Sequence, residues 1–273
     1  RGMMGETAKS FGVGFAPAEW EALVTYARQK QLKLETLQEA GLVNARDGGG
    51  FYDRFRNRLM FPIHNQSGRV VAFGGRRLPP EQEDSPKYIN TAETPIYHKG
   101  QLLYALHATR ELAQKMDSLI VVEGYADAMR LHAAGLKNTV ATSGTALTEE
   151  QARLMLRLVK SVTLLYDSDT AGAAATLRGA DILVENGLQV AVATLPAGED
   201  PDSFVLKHGA AAIQKARVIL WKGYCHVHTR YTVPMVNEMR AKYPGIKIVV
   251  HPECTEDVVK VADAVGSTNF IQE

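Results

Sequence analysis

Cysteine is scarce in this chain, with two among 273 residues. Two sulfurs cannot build a disulfide framework, nor by themselves a four-cysteine zinc site. Such sparing use fits a reducing compartment, and a cytoplasmic location is the expectation. There is no apolar run approaching the roughly 18 residues of a candidate membrane span, so a transmembrane helix is excluded. A strong net charge is missing too: 31 Lys and Arg stand against 30 Asp and Glu, for a net charge of +1. Nor is the composition skewed toward repeats or polar tracts. At 45% hydrophobic and 22% charged residues, disorder, collagen-like repeats and coiled coil are poor readings. The chain begins at Arg1 and carries no signal-peptide pattern, which suggests a piece of a longer polypeptide. Its length suggests about two domains at roughly 150 residues each.

The near-zero total conceals an asymmetry. Residues 1–100 hold 14 basic and 11 acidic residues, residues 101–214 hold 9 and 13, and residues 215–273 hold 8 and 6. Between Arg54 and Arg77 there are six arginines and no acid. A basic stretch followed by an acidic module suggests a polyanion held beside divalent metal ions, where composition alone would suggest only a solvated basic face.

Residues 1–45 read as helical, with Trp20, Leu23, Val24 and Ala27 on a helical period and Leu34, Leu37 and Ala40 repeating it before Gly41. Gly48-Gly49-Gly50 marks a turn. Arg58–Ile63 and Arg69–Phe73 read as strands joined by a turn at Asn65–Gly68. Residues 79–101, with four prolines, read as a long irregular loop of the kind that often carries function. From Ser118 the texture becomes alternating. Strands are expected at Leu119–Val122, Thr139–Thr142, Val162–Tyr166 and Val190–Leu195, with helices at Asp127–Ala134, Glu149–Lys160 and Ala171–Glu185. Thr148 and Gln151 form a capping-box pattern before the second of these helices. The alternation predicts an α/β fold with a mostly parallel sheet, whose sites lie at the carboxyl ends of its strands.

The acids fall at those ends. Glu123 closes the first strand, Asp167 and Asp169 close the third, and Asp200 and Asp202 follow the fourth, while Asp127 lies one helical turn beyond Glu123. An Asp at a strand-to-helix turn is often only a helix cap. Carboxylates gathered at one edge repel unless cations neutralise them. Mg²⁺ is held by one or two carboxylates plus substrate phosphates.

Glu123-Gly124 followed by Asp167-Ser168-Asp169 resembles the Toprim module shared by topoisomerases, primases and some nucleases. Further segments narrow the likeness: Phe11–Pro17, Asp53–Arg58, Gly68–Arg76, Pro86–Asn90, Tyr97–Gly100, Val122–Asp127 and Gly198–Asp202. With these in order, residues 1–214 resemble the RNA polymerase core of bacterial replicative DNA primases. The resemblance implies an α+β basic N-terminal subdomain over 1–115 and a Rossmann-like Toprim metal-binding domain over 116–214. It implies metal binding, through Mg²⁺ or Mn²⁺, by Glu123, Asp167 and Asp169, with Asp127, Asp200 and Asp202 nearby in the cleft. Glu123 is either a ligand or a general base. Arg56, Arg76, Lys87, Tyr88 and Lys99 match the surface that binds template and nucleotide phosphates, and Arg1 matches a further basic position. The implied activity is DNA-templated nucleotidyl transfer making short RNA primers for replication, by a two-metal mechanism. The implied partners are a single-stranded DNA template, NTPs and an RNA–DNA hybrid, with no membrane. Family members also carry an N-terminal zinc-binding domain, a helical part closing the core, and a C-terminal domain that binds the replicative helicase in the primosome. None of these is read in this sequence, so weak initiation is expected.

The tail, 215–273, reads as a small βαβα unit: Val218–Trp221, Val233–Lys242, Ile246–Val250 and Glu256–Ala264. Its segments Trp221–His228, His251–Cys254 and Gly266–Thr268 resemble one domain of quinolinate synthases, iron–sulfur enzymes of NAD biosynthesis. That likeness matches Cys225 to a cluster ligand, His251 and Glu253 to substrate-site residues, and Ser267 and Thr268 to an anion-binding turn. A [4Fe–4S] cluster needs several cysteines, so none is expected here. Two other readings stand beside primer synthesis: a quinolinate synthase fragment, and a single-stranded-DNA-binding module without turnover.

Overall fold

The first helical turns owe their order to residues far along the chain. The computed structural model describes residues 5–79, 85–144, 146–167, 170–196, 198–215, 217–221, 231–250 and 254–265. It opens with α1 (Gly5–Ser10), β1 (Gly14–Ala16), α2 (Ala22–Gln29), α3 (Leu34–Glu39), β2 (Val43–Ala45) and β3 (Phe51–Asp53). Glu21, at the start of α2, makes no side-chain cap. The buried Asp53 carboxylate does this instead, accepting the backbone N–H of Leu23 at 2.6 Å and of Val24 at 3.1 Å. Those donors would otherwise be orphaned at the helix N-terminus.

The helical expectation for 1–45 holds for three helices but fails at β1 and β2. Tertiary pairing overrides local periodicity at both: β2 forms a hairpin with β3 around the glycine turn, and β1 pairs antiparallel with β4 (Arg58–His64). β5 (Val70–Arg77) and β6 (Tyr88–Asn90) complete an antiparallel sheet of order β1-β4-β5-β6. Asn65 builds the β4–β5 turn by accepting the N–H groups of Ser67 at 3.1 Å and Arg69 at 3.0 Å. The expected irregular loop 79–101 thus contains a strand, and also a single 3₁₀ turn at Lys99–Gln101. Arg58 explains why this segment docks. Its buried guanidinium donates to the carbonyls of Gly75 at 3.1 Å and Pro86 at 3.0 Å.

Next come α4 (Leu106–Met116), β7 (Ser118–Val122), α5 (Tyr125–Ala133), β8 (Thr139–Ala141), α6 (Glu149–Leu156) and β9 (Ser161–Leu164). They are followed by α7 (Thr170–Glu185), β10 (Gln189–Thr194), α8 (Pro201–His208), α9 (Ala210–Lys215) and β11 (Arg217–Trp221). The capping box at Thr148 and Gln151 forms as expected. The mostly parallel sheet is present in the order β11-β10-β9-β7-β8, parallel except for the β10–β11 pair. Leu119, Val121, Val140, Val162, Leu164 and Leu183 make its buried core. Burial of such side chains, each worth about 1.5–3 kcal/mol, sets the sheet's register.

The chain divides into two compact units, 1–221 and 222–273. The second contains α10 (Val233–Lys242), β12 (Val249–Val250), α11 (Glu256–Val261) and β13 (Ala264–Val265), with β12 parallel to β13. Its core is Val236, Val250, Cys254 and Val258. Of the strands expected in the tail, Val218–Trp221 belongs to the first unit and Ile246–Val250 to the second. The 217–221 strand covers the edge of β10, with Val190 opposite Trp221 and Thr194 opposite Arg217. An open strand edge is a pairing template, and this one is filled from within the first unit.

Candidate active site

The parallel register fixes where the acids emerge. Val121 on β7 lies beside Leu164 on β9, and Leu164 lies beside Val192 on β10. Glu123 therefore leaves the sheet two residues beyond that line, and Asp167 three residues beyond it. Asp127 stands in the first turn of α5, and Asp200 is the N-cap of α8. Glu123, Asp127, Asp167 and Asp200 all line one cavity of about 670 Å³.

The same cavity is lined by Arg76, Lys87, Tyr88 and Lys99 from the antiparallel subdomain and its connection to α4. Arg76 and Tyr88 are cross-strand partners, with the guanidinium 5.7 Å from the ring centre. The Lys99 ammonium reaches the Gly144 carbonyl at 3.4 Å, and its backbone N–H donates to Glu93 at 2.9 Å. Partial burial lowers the Lys99 pKa, against the opposing pull of Glu93. Glu93 is itself held below its ordinary value by that backbone N–H and by His98.

Sequence reasoning named no role for the residues that join the two halves. The Tyr125 hydroxyl donates to Asn90 Oδ1 at 2.7 Å, and the Asn90 amide donates to the Ser143 carbonyl at 3.2 Å. The N–H groups of Ser143 and Gly144 donate to the Glu123 carbonyl at 2.9 and 3.3 Å. Asn90 and Tyr125 fall within the primase-like segments Pro86–Asn90 and Val122–Asp127, but a pairing across 35 residues has no signal in one sequence. Two glycines make the approach work. A Cβ on Gly74 would come 2.5 Å from the Tyr125 ring, and one on Gly124 would come 2.7 Å from the Asp127 carboxylate. Burial raises the pKa of Tyr125, and burial with the nearby Glu123 raises that of Tyr166, so both stay protonated phenols.

Two expected site residues are turned elsewhere. Asp202 is buried, its carboxylate 2.6 Å from Arg130 Nε, and it does not line the cavity. Arg56 also lies off the cavity. Its guanidinium sits 3.9 Å from the Trp20 ring centre and donates to the Asp53 carbonyl. Asp200 does two things, accepting the Ser203 N–H at 2.6 Å as a helix cap while lining the cavity. Asp169, Arg1, Cys225, His251, Glu253, Ser267 and Thr268 lie outside the described residues. Among the described residues, no three His, Cys, Asp or Glu side chains close into a ready-made metal cage. Four hard oxygen donors around one cavity fit a cation that takes one or two carboxylates and completes its shell from phosphate. No described helix is long and apolar enough to cross a membrane.

Comparison with known proteins gives three family matches: DNA primase catalytic core, N-terminal domain, over 1–110; Toprim-like over 120–205; and quinolinate synthetase A protein over 182–273. A DNA primase of Halalkalibacterium halodurans is 44% identical over 277 residues, spanning all of this chain and 45% of the relative. One from Pseudomonas aeruginosa is 45% identical over 222 residues, spanning 80% of this chain and 33% of the relative. The chain thus spans half or less of these curated relatives. The tail carries two likenesses, because the first of these alignments runs through it. Among solved structures, the RNA polymerase domain of Mycobacterium tuberculosis primase DnaG matches with a TM-score of 0.74 at 33% identity, covering 88% of this chain and 85% of that one. A DnaG primase catalytic domain bound to single-stranded DNA matches with a TM-score of 0.70 at 37% identity, covering 79% of this chain and 71% of that one. With the acids of a Toprim-like sheet and the cations of a primase N-terminal subdomain around one cavity, the chain belongs to the DnaG-type DNA primase family and carries catalytic-core sequence of it.

Proposed function

We propose that this chain polymerises ribonucleotides on a single-stranded DNA template, as the nucleotidyl-transfer core of a primer-making enzyme. The observation that carries this reading is the single cavity shared by Glu123, Asp127, Asp167 and Asp200 with Arg76, Lys87 and Lys99. A nucleoside triphosphate needs both kinds of wall. In the reaction, a primer 3′-oxygen forms a bond to the α-phosphorus, the bond to the bridging oxygen breaks, pyrophosphate leaves and the hydroxyl proton passes to water. Glu123 and Asp167, with Asp169 two residues after Asp167 in the sequence, would hold Mg²⁺ or Mn²⁺. Bound there, the cation would supply charge to the triphosphate and lower the pKa of the attacking hydroxyl. Arg76 offers fork-shaped donors to phosphate, while Lys87 and Lys99 act as point charges. The depressed pKa of Lys99 marks partial desolvation, which strengthens its pull on an anion. Tyr88 offers a half-exposed ring beside Arg76, suited to a base or ribose face.

Template binding, contact with the growing RNA–DNA hybrid and, in the longer family members, association with the replicative helicase belong to the same proposal, as do residues 1–115, 116–214 and 215–273 as its functional divisions. The quinolinate-synthase residues lie outside the described residues, and the acidic cavity gives that chemistry no role. The deciding assay is incorporation of labelled NTPs on single-stranded DNA with Mg²⁺ or Mn²⁺. Asp167→Ala is expected to abolish incorporation with the fold intact by circular dichroism. Incorporation at the parent rate in that variant overturns the reading. Salt-dependent DNA binding without incorporation by the parent chain supports the module without turnover instead.

A further inference from the structure

A second cavity, of about 590 Å³, shares none of its lining with the first. It is built where α1 crosses the junction of the two subdomains. Glu6 and Lys9 reach it from α1, His64 from β4, His107 from α4, His132 from α5 and Lys137 from the turn after α5. The His64 and His107 ring centres are 4.0 Å apart. His132 places Nε2 2.8 Å from the Thr139 carbonyl and 3.3 Å from the Thr109 hydroxyl. The carbonyl can only accept, so Nε2 carries the hydrogen and a second proton goes to Nδ1. The floor is made of Phe11, Pro62 and Tyr104, with Phe11 stacked on Tyr104 at 6.0 Å and edge-on to His132 at 5.1 Å.

This is a concentration of donors without matching acids. Three imidazoles and two lysines face a single carboxylate, Glu6, which is exposed. The acids of the first cavity are not part of the lining. Two imidazoles tilted at 31° with centres 4.0 Å apart, in a cavity that lysines also line, are unfavourable for one another once charged, and become favourable when an anion sits among them. Thr7 also lines the cleft and offers a neutral hydroxyl, while the Ser10 hydroxyl donates to the Thr7 carbonyl at 2.9 Å. Five nitrogen side chains that carry positive charge when protonated, set against one carboxylate, are the chemistry of an anion site.

We propose that this cleft is a second ligand site, separate from the polymerising cavity, which binds a tetrahedral phosphate-type oxyanion through Lys9, Lys137 and the His64–His107 pair. Its volume admits the phosphate of a small metabolite or one phosphodiester of a nucleic acid strand, and the shared chemistry is the phosphate group.

Proton linkage follows. Burial lowers the pKa of His64, His107 and His132, with the neighbouring imidazoles lowering His107 further. Lys137 acts in the same direction on His132. The Pro62 and Thr139 carbonyls oppose the shift at His64 and His132 without reversing it. Burial keeps the Tyr104 phenol protonated. With folded values below the ordinary 6.5, the empty folded protein takes up these protons later than the unfolded chain. Its stability therefore falls as pH drops through that region. An anion reverses the preference, so it binds with proton uptake. Affinity should then rise by up to about tenfold per pH unit for each proton taken up.

The experiment uses the full chain in chelator, to empty the acidic cavity of metal, and inorganic sulfate, which keeps its charge across the histidine range. Histidine ring resonances are followed by NMR through a pH titration. Sulfate is expected to raise the midpoints of His64 and His107, to bind more tightly at low pH, and to lose both effects in a Lys9→Ala, Lys137→Ala double variant. Both lysines are exposed, so that variant should fold. Glu6→Gln should strengthen sulfate binding. Two further probes identify the source: a short single-stranded oligonucleotide without terminal phosphate, and a nucleoside monophosphate. Either one moving the same resonances supports the site and says which phosphate it takes. Midpoints unmoved by sulfate, or moved equally in the double variant, overturn the proposal. Because the readout is imidazole titration in the absence of metal, its failure would leave the polymerase reading standing, and failure of that reading would leave this one standing.

Discussion

The two halves of the first unit deliver opposite charges to one cavity by opposite structural means. The acids come from the ends of parallel strands, where topology alone sets their position: β7, β9 and β10 run together, so whatever follows each strand meets at one edge. The cations come from an antiparallel sheet and a loop, where no such rule operates. Arg76 and Lys99 reach the cavity from segments held by particular contacts: Tyr88 pairs across from Arg76, Arg58 donates to the Pro86 carbonyl just before Tyr88, and the Lys99 N–H donates to Glu93. Acid placement is thus a property of the fold class. Cation placement is a property of particular long-range contacts, and is easier to break.

The sharpest test of that contrast lies within one acidic segment. Asp200 and Asp202 are two residues apart, yet one caps a helix at the cavity and the other is buried against Arg130. Removing one partner of a buried pair leaves an uncompensated charge, at a cost of about 3–5 kcal/mol. Asp202→Ala is therefore expected to be the most destabilising change, read as a fall in the urea midpoint with an unchanged slope. Asp200→Ala should cost only about 1 kcal/mol as a lost cap, while reducing nucleotide incorporation. Equal stability losses in the two variants would erase the distinction.

Next in size is the seam between the halves. At Gly74 an added methyl would come 2.5 Å from the Tyr125 ring. The ring is sandwiched, stacked on Phe61 at 5.2 Å and edge-on to Tyr104 at 4.8 Å, so it has little room to yield. Overpacking of this kind costs about 1–3 kcal/mol. Gly74→Ala should therefore depress incorporation more than Tyr125→Phe, which keeps the ring and removes only the bond to Asn90. If Tyr125→Phe is the worse variant, the hydrogen bond and not the packing aligns the halves.

These cases also mark where sequence reading succeeds and stops. The parallel sheet, its helices and the convergence of Glu123, Asp127, Asp167 and Asp200 follow from alternation and strand ends, both local signals. Asp202 carried the same local signal, and Arg56 was implied by the primase resemblance, but they went to Arg130 and Trp20, across 72 and 36 residues. Nothing at position 202 distinguishes a carboxylate bound for a cavity from one bound for an arginine. The strands β1, β2 and β6 are three residues each and exist through pairing with partners already in place, so periodicity had too few residues to register them. The 217–221 strand was legible as a strand, but not as the antiparallel edge of the preceding sheet.

The smallest effect separates a cation that only faces solvent from one that serves the cavity. Lys87 is exposed and lines the cavity next to Tyr88. Lys99 lines it from a partly desolvated position, with its ammonium on the Gly144 carbonyl. Neither is expected to matter much for stability, since surface changes fall within about 0.5 kcal/mol. Binding of single-stranded DNA or nucleotide is the place to look. Lys87→Ala should lower the slope of log affinity against log salt by about one unit if it meets a phosphate. Lys99→Ala should do the same and weaken binding further, because a charge already partly stripped of water gives more when an anion arrives. An unchanged slope in Lys87→Ala would make it a solvated face, leaving Arg76 and Lys99 as the cations opposite the acids. Equal losses in the two variants would mean that burial of Lys99 adds nothing, and that the cavity counts charges without regard to where the fold holds them.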